Sequence, residues 1–384
     1  METTELIEII ARGEDSKNQF KENLHKHDQE SLAGEMVAFS NSGGGRIIIG
    51  VKDDDWSVSG LSQADVNRIN QYIGNVASQL VKPSINPTTE NIMLPDGLVM
   101  VVTVSDGISK PYQDKNSYFW VKSGSDKRKA TSREEIQRMF QSASLIHGDE
   151  LPANGLLISD IDMSYFDSFF QKTYGESLDQ QDQPIQTLLE NMNLAKSGNL
   201  NIAGALLFAR QSHFRLPTFI VKAVAYPGND IDEESYIDSR DIIGKVTDLF
   251  QQSISFITNN IQHHQYDQSV NSPGKPVIPR IVLEELIANA IIHRDYCISA
   301  PIRIFVFKNR VEIISPGHLP NNLTIENIKA GNSNIRNPIL ASFATKLLPY
   351  RGLGNGIRRA IKEYPSLELV DDRSGNLFKV IIPK

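Results

Sequence analysis

Apolar positions recur at helical spacing over Asp28–Ser40, where Leu32, Met36, Val37 and Phe39 share a side, and the pattern breaks at Asn41–Gly45 before the β-branched run Arg46–Val51. That order predicts a helix, a Gly-rich turn and a buried strand. The pattern continues with a helix over Gln63–Leu80 and strands at Leu98–Val104 and Tyr118–Lys122. A helix over Thr131–Ser142 follows, capped by Thr131 or Ser132, with Glu134 and Glu135 in its first turn. His147–Asn154 is polar, contains Pro152 and reads as a linker. Beyond it the spacing predicts helices at Met163–Tyr174 and Pro184–Asn191, strands at Gly204–Ala209 and Pro217–Tyr226, and an amphipathic helix over Ile242–Ile261. Gln262–Pro276 is turn-rich and reads as an exposed loop or hinge. A helix at Pro279–Ile292, strands at Ile302–Phe307 and Arg310–Ile314, a turn at Leu369–Asp372, a helix at Asn355–Glu363 and a closing strand at Leu377–Ile382 complete the chain. The expected class is α+β, sheets flanked by helices, in three regions: 1–146, 147–274 and 275–384.

Composition narrows the function classes. The 384 residues, 40% apolar and 22% charged, suffice for two or three globular domains. Cys297 is the single cysteine, which excludes an intramolecular disulfide and a Cys-based zinc site, so a cytoplasmic address is expected. The longest apolar runs, such as Leu98–Val104 and Ala203–Ala209, fall far short of the ~20 residues that span a bilayer, and Met1–Gly13 carries acids where a signal peptide needs bases. No membrane partner is expected. With 39 basic against 46 acidic residues the net charge is −7, so a nucleic-acid partner must be held by a local basic face.

Candidate chemistry concentrates near both ends. In the helix predicted at Pro279–Ile292, Glu285, Asn289 and His293 fall four residues apart on one face. A carboxylate and an amide one turn apart suit a nucleotide site, the amide oxygen coordinating Mg²⁺ and the carboxylate orienting water; a solvated helix face is the other reading. Ile314–Pro320 makes a tight turn through Gly317, and Gly352, Gly354 and Gly356 alternate just before a helix, so backbone N–H groups can approach phosphates. No GxxxxGK[ST] occurs, which excludes a P-loop.

The segments EELIANAIIHRDY, RVEIISPGHLP, SNIRNP and RGLGNGIRRAI resemble the divergent GHKL-type ATP-binding domain of RecG-like and transcription-regulator proteins, over roughly residues 275–384. The resemblance implies ATP and Mg²⁺ as cofactors. It makes Glu285 the water-orienting acid, Asn289 the Mg²⁺ ligand, and Gly352, Gly354 and Gly356 the phosphate lid, with His293 and Gly317 also at the nucleotide. For His293 a buried, hydrogen-bonded imidazole is the other reading. Where the family reads adenine with an Asp in a D-x-G turn, this chain has Ser315-Pro316-Gly317.

Gly13–Lys21, followed by MVAFSNSGGGRIIIGVKDDD, resembles the Schlafen AlbA_2 domain over about residues 5–140. The family pairs an E-x4-E-F-K segment with an AF-N-x-x-GG turn, a hydrophobic strand and an acid just past it. Here Glu14 fills the first acidic place, Phe20-Lys21 match, Asp53 or Asp54 fills the last, and the second acid is Gln19. By that resemblance Glu14, Asp53 and Asp54 are catalytic candidates, with Glu14 and Asp53 holding a divalent metal for phosphodiester cleavage. The amide at Gln19 removes a charge and favours binding without cleavage. Lys122, Lys127, Arg128 and Lys129, near Tyr118, Phe119 and Trp120, with Lys21, are candidates for contacting nucleic acid; a solvated hairpin over core aromatics is the other reading. Asn41–Gly45 reads equally as a turn that needs positive φ.

The two resemblances together fit a prokaryotic family of DNA-binding, ATP-binding regulators. Many members continue into a winged helix, for which no room is expected before Lys384. The expected function is an ATP-binding, nucleotide-gated nucleic-acid-binding protein in regulation or phage defence, acting as a homo-oligomer. The alternatives are an ATP-regulated, metal-dependent ribonuclease acting on tRNA or other structured RNA, and a catalytically dead oligomeric scaffold.

Overall fold

The computed structural model describes the chain except residues 144, 232–234, 265–273 and 321–322. The loop expected at Gln262–Pro276 lies largely outside the described residues, as does the side chain of Glu134. The fold is α+β, in two compact units, Met1–Leu145 and Ile146–Lys384.

In the first unit, α1 (Thr3–Arg12), β1 (Asn18–Lys21), α2 (Gln29–Asn41), β2 (Gly45–Ile49), α3 (Gln63–Gln79), β3 (Thr88–Leu94) and β4 (Gly97–Val104) build a four-stranded sheet of order β1-β2-β4-β3. β1 runs parallel to β2, pairing Gln19 with Ile47 and Lys21 with Ile49; the other pairs are antiparallel. The run Ile47-Ile48-Ile49 is continuously apolar because both faces of its strand are covered. Ile47 and Ile49 pack with Leu32, Met36, Phe39 and Ile69 of α2 and α3, whereas Ile48 and Val51 pack with Leu6, Ile10 and Phe20. A hairpin of β5 (Trp120–Ser123) and β6 (Asp126–Lys129) follows, then α4 (Arg133–Ser142), whose first turn is capped by Ser132 Oγ accepting from Glu135 N at 3.0 Å.

The second unit contains α5 (Met163–Tyr174), α6 (Ile185–Asn191), α7 (Ile202–Phe208), β7 (Val221–Ala225), β8 (Asp238–Ile242), α8 (Val246–Asn260), α9 (Arg280–His293), β9 (Ile302–Val306), β10 (Arg310–Pro316), α10 (Ile325–Ala330), α11 (Pro338–Leu347), α12 (Gly356–Glu363), β11 (Glu368–Asp372) and β12 (Leu377–Pro383). Its six-stranded sheet has the order β8-β7-β9-β10-β12-β11, with β7 parallel to β9 and every other pair antiparallel. Leu249 and Ile257 of α8, Val282 and Leu286 of α9, and Ala223, Ile304, Ile313 and Val380 of the sheet share one core. The boundary expected at 274/275 is therefore not a division in the fold, because β7 and β8 precede it and hydrogen-bond into the same sheet as β9.

Three other expectations change. Gly204–Ala209, read as a strand, lies in and just past helix α7; its apolar run is buried on every side, and periodicity alone cannot separate a buried strand from a buried helix. The deciding residue is Asn201, whose Oδ1 accepts from Gly204 N at 2.8 Å as an N-cap. The helix expected from Ile242 begins at Val246, since Ile242 ends β8 and Gly244, at φ +126°, turns the chain between them. Leu369–Asp372, read as a turn, belongs to edge strand β11.

The start of α11 is fixed from elsewhere in its unit. Asn337 Nδ2 donates to Ile292 O and Arg294 O, both at 2.8 Å, so this amide ties α11 to the end of α9 rather than capping its own helix. The cap comes from Asp149, whose Oδ2 accepts from Leu340 N at 2.9 Å. Asp149 is fully buried, and burial pushes its carboxyl up from 3.8 to about 6 despite the backbone donors. Folding therefore favours its protonated form, a contribution present below about pH 3.8 and lost as pH rises through about 6. Asp149→Asn keeps an acceptor for Leu340 N and removes the titration. Relative to wild type, its stability is expected to improve by roughly 3 kcal/mol between acid and neutral pH, read as the difference of two urea-melt series.

Candidate functional site

α9 has one charged residue in its buried stretch. Its residues from Val282 to Ile292 are buried except Glu284 and Asn289, so Glu285, 4% exposed, sits in an apolar helix core. Asn289 Nδ2 donates to Glu285 O at 2.6 Å, which turns the amide oxygen away from the helix backbone. One turn on, His293 Nε2 lies 3.0 Å from Tyr350 Oη. Burial, with a smaller push from Arg336, lowers the imidazole to about 4, so it is neutral at physiological pH. Burial likewise raises the Glu285 carboxyl, opposed by Arg359 and Arg351.

This face forms one wall of a cavity of about 450 Å³. Leu286, Ile313, Phe378 and Val380 give it an apolar floor, and the opposite wall is the loop Arg351–Gly356 with Arg358, Arg359 and Lys362 of α12. Gly352 and Gly354 have φ +67° and +70°, and a Cβ on Gly354 would lie 2.9 Å from Gly331 O. A Cβ on Gly356 would collide with Glu285 Oε2, so α12 begins directly over the carboxylate. Gly317, φ +96°, turns the chain under Arg336 and Asp295. Ser315 Oγ, in the Ser315-Pro316-Gly317 turn, donates to Ala290 O at 3.1 Å and ties β10 to α9.

Glu285, Asn289, His293, Gly317, Gly352, Gly354 and Gly356 thus line one cavity. Sequence reasoning passed over Arg336, Tyr350 and Arg359 there. Arg336 and Arg359 stand inside the quoted segments SNIRNP and RGLGNGIRRAI, where only glycines and acids were weighed. Arg359 forms an ion pair with Glu285, and its Nε is buried without a partner among the described residues. Arg336 Nη2 donates to His318 O at 2.7 Å beneath the Gly317 turn.

The N-terminal candidates are placed differently from expectation. Gln19 and Lys21 share a face of β1, opposite the buried Phe20. Glu14 Oε1 accepts from the Gln19 amide and from Phe20 N, the latter at 2.8 Å. Asp53 Oδ2 pairs with Lys21 Nζ at 2.8 Å, and Asp54 Oδ1 accepts from Asp55 N at 2.9 Å. Among the described residues no group of three or more His, Cys, Asp or Glu is placed to hold a metal ion, so Glu14, Asp53 and Asp54 do not form the expected acidic cluster.

The cations of the hairpin are also engaged. Lys122, with its side chain 3% exposed, reaches Gln19 Oε1 at 3.1 Å and Glu35 Oε2 at 3.5 Å. Lys127 pairs with Glu35 Oε1 at 2.8 Å, and Arg128 grips both oxygens of Glu135, at 2.9 and 2.6 Å. Lys129 Nζ sits 3.4 Å from the centre of the Tyr118 ring. Of the expected basic face, Lys21, Lys122, Lys127 and Arg128 are bound to acids or amides of the unit itself. Glu35, which organises two of them, escaped sequence reasoning although it is the lone charge in LAGEMVAF. In the turn at Asn41–Gly45, Gly43 and Gly44 do take positive φ, and Lys17 Nζ donates to their carbonyls at 2.6 and 3.1 Å.

Comparison with known proteins adds family. Residues 14–131 match the family described as "Schlafen, AlbA_2", and residues 299–377 match that described as "Putative ATP-dependent DNA helicase recG C-terminal". Both resemblances read from the sequence are borne out: residues 14–131 are similar to the Schlafen AlbA_2 domain and residues 299–377 to the RecG-type C-terminal domain. It is similar, at 36% identity over 74 residues, to an uncharacterized ATP-binding protein of Ureaplasma parvum; the match spans 19% of this chain and 21% of that relative. Among solved structures, the DIP2311 protein of Corynebacterium diphtheriae is matched over 99% of this chain and 79% of its own, at 17% identity and TM-score 0.47. The N-terminal domain of a RecG-related protein of Nitrosomonas europaea is matched over 34% of this chain and 94% of its own, at 19% identity and TM-score 0.25. No helix among the described residues is long and apolar enough to cross a membrane.

Proposed function

We propose that the C-terminal unit binds ATP with Mg²⁺ in the cavity beneath the Arg351–Gly356 loop, and that nucleotide occupancy governs association of the N-terminal unit, and of copies of the chain, with nucleic acid. The observation that carries the proposal is the meeting, in one cavity, of an apolar floor, a positive-φ glycine loop with four cationic side chains, and the Glu285–Asn289 pair. An apolar slot suits a purine, and backbone N–H groups with Arg and Lys suit a polyphosphate.

The residues fit the cation as well. Mg²⁺ keeps most of its shell as water and phosphate oxygens, so one side-chain oxygen suffices, and Asn289 Oδ1 is turned away from the backbone acceptor its nitrogen uses. When bound, Mg²⁺ neutralises phosphate charge. Asn289 would hold it, the glycine loop and cations would orient the phosphates, and Glu285 is the group that could accept a proton from water. The Ureaplasma relative's description as ATP-binding supports the nucleotide, and the RecG helicase description of the matched family supports nucleic acid as partner. Calorimetric titration of the full chain with ATP, ADP and GTP, with and without Mg²⁺, tests the nucleotide site. Saturable, Mg²⁺-enhanced binding is expected, and no heat at millimolar ATP would overturn it.

The ribonuclease alternative turns on Gln19. Its amide donates to Glu14 and accepts from Lys122, two roles that a carboxylate cannot both fill. Gln19→Glu is therefore expected to destabilise the unit by roughly 1–3 kcal/mol through a like-charge contact with Glu14. Thermal melts with and without Mn²⁺ decide between the readings: a melting point restored by Mn²⁺ points to a latent metal site, and no recovery leaves the unit as a binding module.

A further inference from the structure

Glu285, the only carboxylate among the described residues of the cavity wall, is covered. The Arg359 guanidinium is paired to its Oε1, and α12 starts so close above Oε2 that residue 356 has no room for a side chain. Arg351 adds a second positive field on the same group. A carboxylate held this way cannot take up a water molecule at the paired oxygen. Yet the same guanidinium belongs to the helix that follows the glycine loop, so it stands where phosphates would arrive. Its Nε is buried and, among the described residues, unpartnered, so one donor of its planar fork goes unused against Glu285. The loop itself is anchored before and after, by Tyr350 on His293 and by Arg359 on Glu285, while Leu353 between them is 70% exposed.

Taking the cavity as a nucleotide site, on which this step rests, we infer that Arg359 is a triphosphate sensor: it is paired to Glu285 in the nucleotide-free protein and transfers to the terminal phosphate of a bound nucleoside triphosphate, uncovering Glu285. The driving force is charge. A triphosphate offers the guanidinium several anionic oxygens in bidentate geometry, against one carboxylate that is itself better solvated once released. A diphosphate lacks the terminal group and leaves the ion pair in place, so the site distinguishes triphosphate from diphosphate by a movement of this one side chain. Arg359 is thereby a ligand-contacting residue, and Tyr350 and His293 position the loop that carries it.

The test is a double-mutant cycle on the full chain, read by calorimetric affinity for ATP and ADP with Mg²⁺. Arg359→Gln is expected to weaken ATP binding by about tenfold or more while changing ADP affinity less than about threefold. Glu285→Gln in the Arg359 background should tighten ATP by about tenfold, because the competing partner is gone, and in the Arg359→Gln background that gain should disappear. Equal gains in both backgrounds would mean simple repulsion by Glu285 and would overturn the transfer. Equal losses of ATP and ADP affinity in Arg359→Gln would make the residue a structural clamp. If wild type binds neither nucleotide, it is the cavity assignment that fails, whereas wild-type binding with an indifferent Arg359 removes the sensor alone. Trypsin cleavage after Arg351 gives an independent readout: protection by ATP and not by ADP is expected, and protection by both or neither contradicts the switch.

Discussion

Asn289→Ala is expected to abolish the Mg²⁺-dependent part of nucleotide binding, lowering affinity by the order of 100-fold while the weaker Mg²⁺-free binding persists. The amide is held by donation from its nitrogen to Glu285 O, so its oxygen has a fixed direction, and alanine removes that oxygen without disturbing a helix whose core contacts lie on other residues. Asn289→Asp returns an oxygen at the same position, although the carboxylate forfeits the bond to Glu285 O. It should recover most of the Mg²⁺ dependence if the group acts as a ligand, and none if it acts only as a helix strut. Calorimetry with Mg²⁺ varied at fixed ATP separates these outcomes, and an unchanged alanine variant would remove Asn289 from the site.

Glu35→Ala should be the most damaging single change in the N-terminal unit, costing roughly 3–5 kcal/mol. Lys122 and Lys127 share this one carboxylate, and Lys122 is almost wholly withdrawn from water, so truncation strands a cation inside the unit. Denaturant melts of Glu35→Ala and of Glu35→Ala/Lys122→Met check the cause. The second substitution should return a large part of the loss, because it removes the stranded charge and keeps the aliphatic stem. A double variant no better than the single one would show that Glu35 matters for packing alone.

Much of this molecule was legible in its sequence wherever burial is one-sided or punctuated. The IVLEELIANAIIH helix, the RIIIGV strand and the Gly352–Gly356 loop all stand out because apolar spacing meets glycine or a lone acid. What stayed hidden were the pairings. Arg359 and Glu285 are far apart in the chain, as are Lys122 and Glu35, and nothing in local spacing says that a cation will be spent on an internal acid rather than offered to a ligand. For the same reason a run of Lys-Arg-Lys reads as a phosphate-binding face until its partners are visible. The helix at Ile202–Phe208 was hidden by being buried on all sides, where both periodicities vanish. The acids Glu14 and Asp53 were expected to meet on a metal; instead β1 sets each beside a different residue of its own face.

The parallel pairing of β7 with β9 bears on how far the RecG-type segment is portable. Residues 299–377 include β9 but neither β7 nor β8, so a piece cut at those limits would open Ile302–Val306 as a bare ladder of backbone donors and acceptors beside a stripped apolar face. It would also lack α9, which carries Glu285 and Asn289. In the intact unit the outer position belongs to β8, where Asp238, Arg240 and Asp241 make a charged rim that discourages the addition of another strand. A transplant of this RecG-type segment between proteins, by recombination in nature or by design, has to bring the 221–242 strand pair along as its lateral seal.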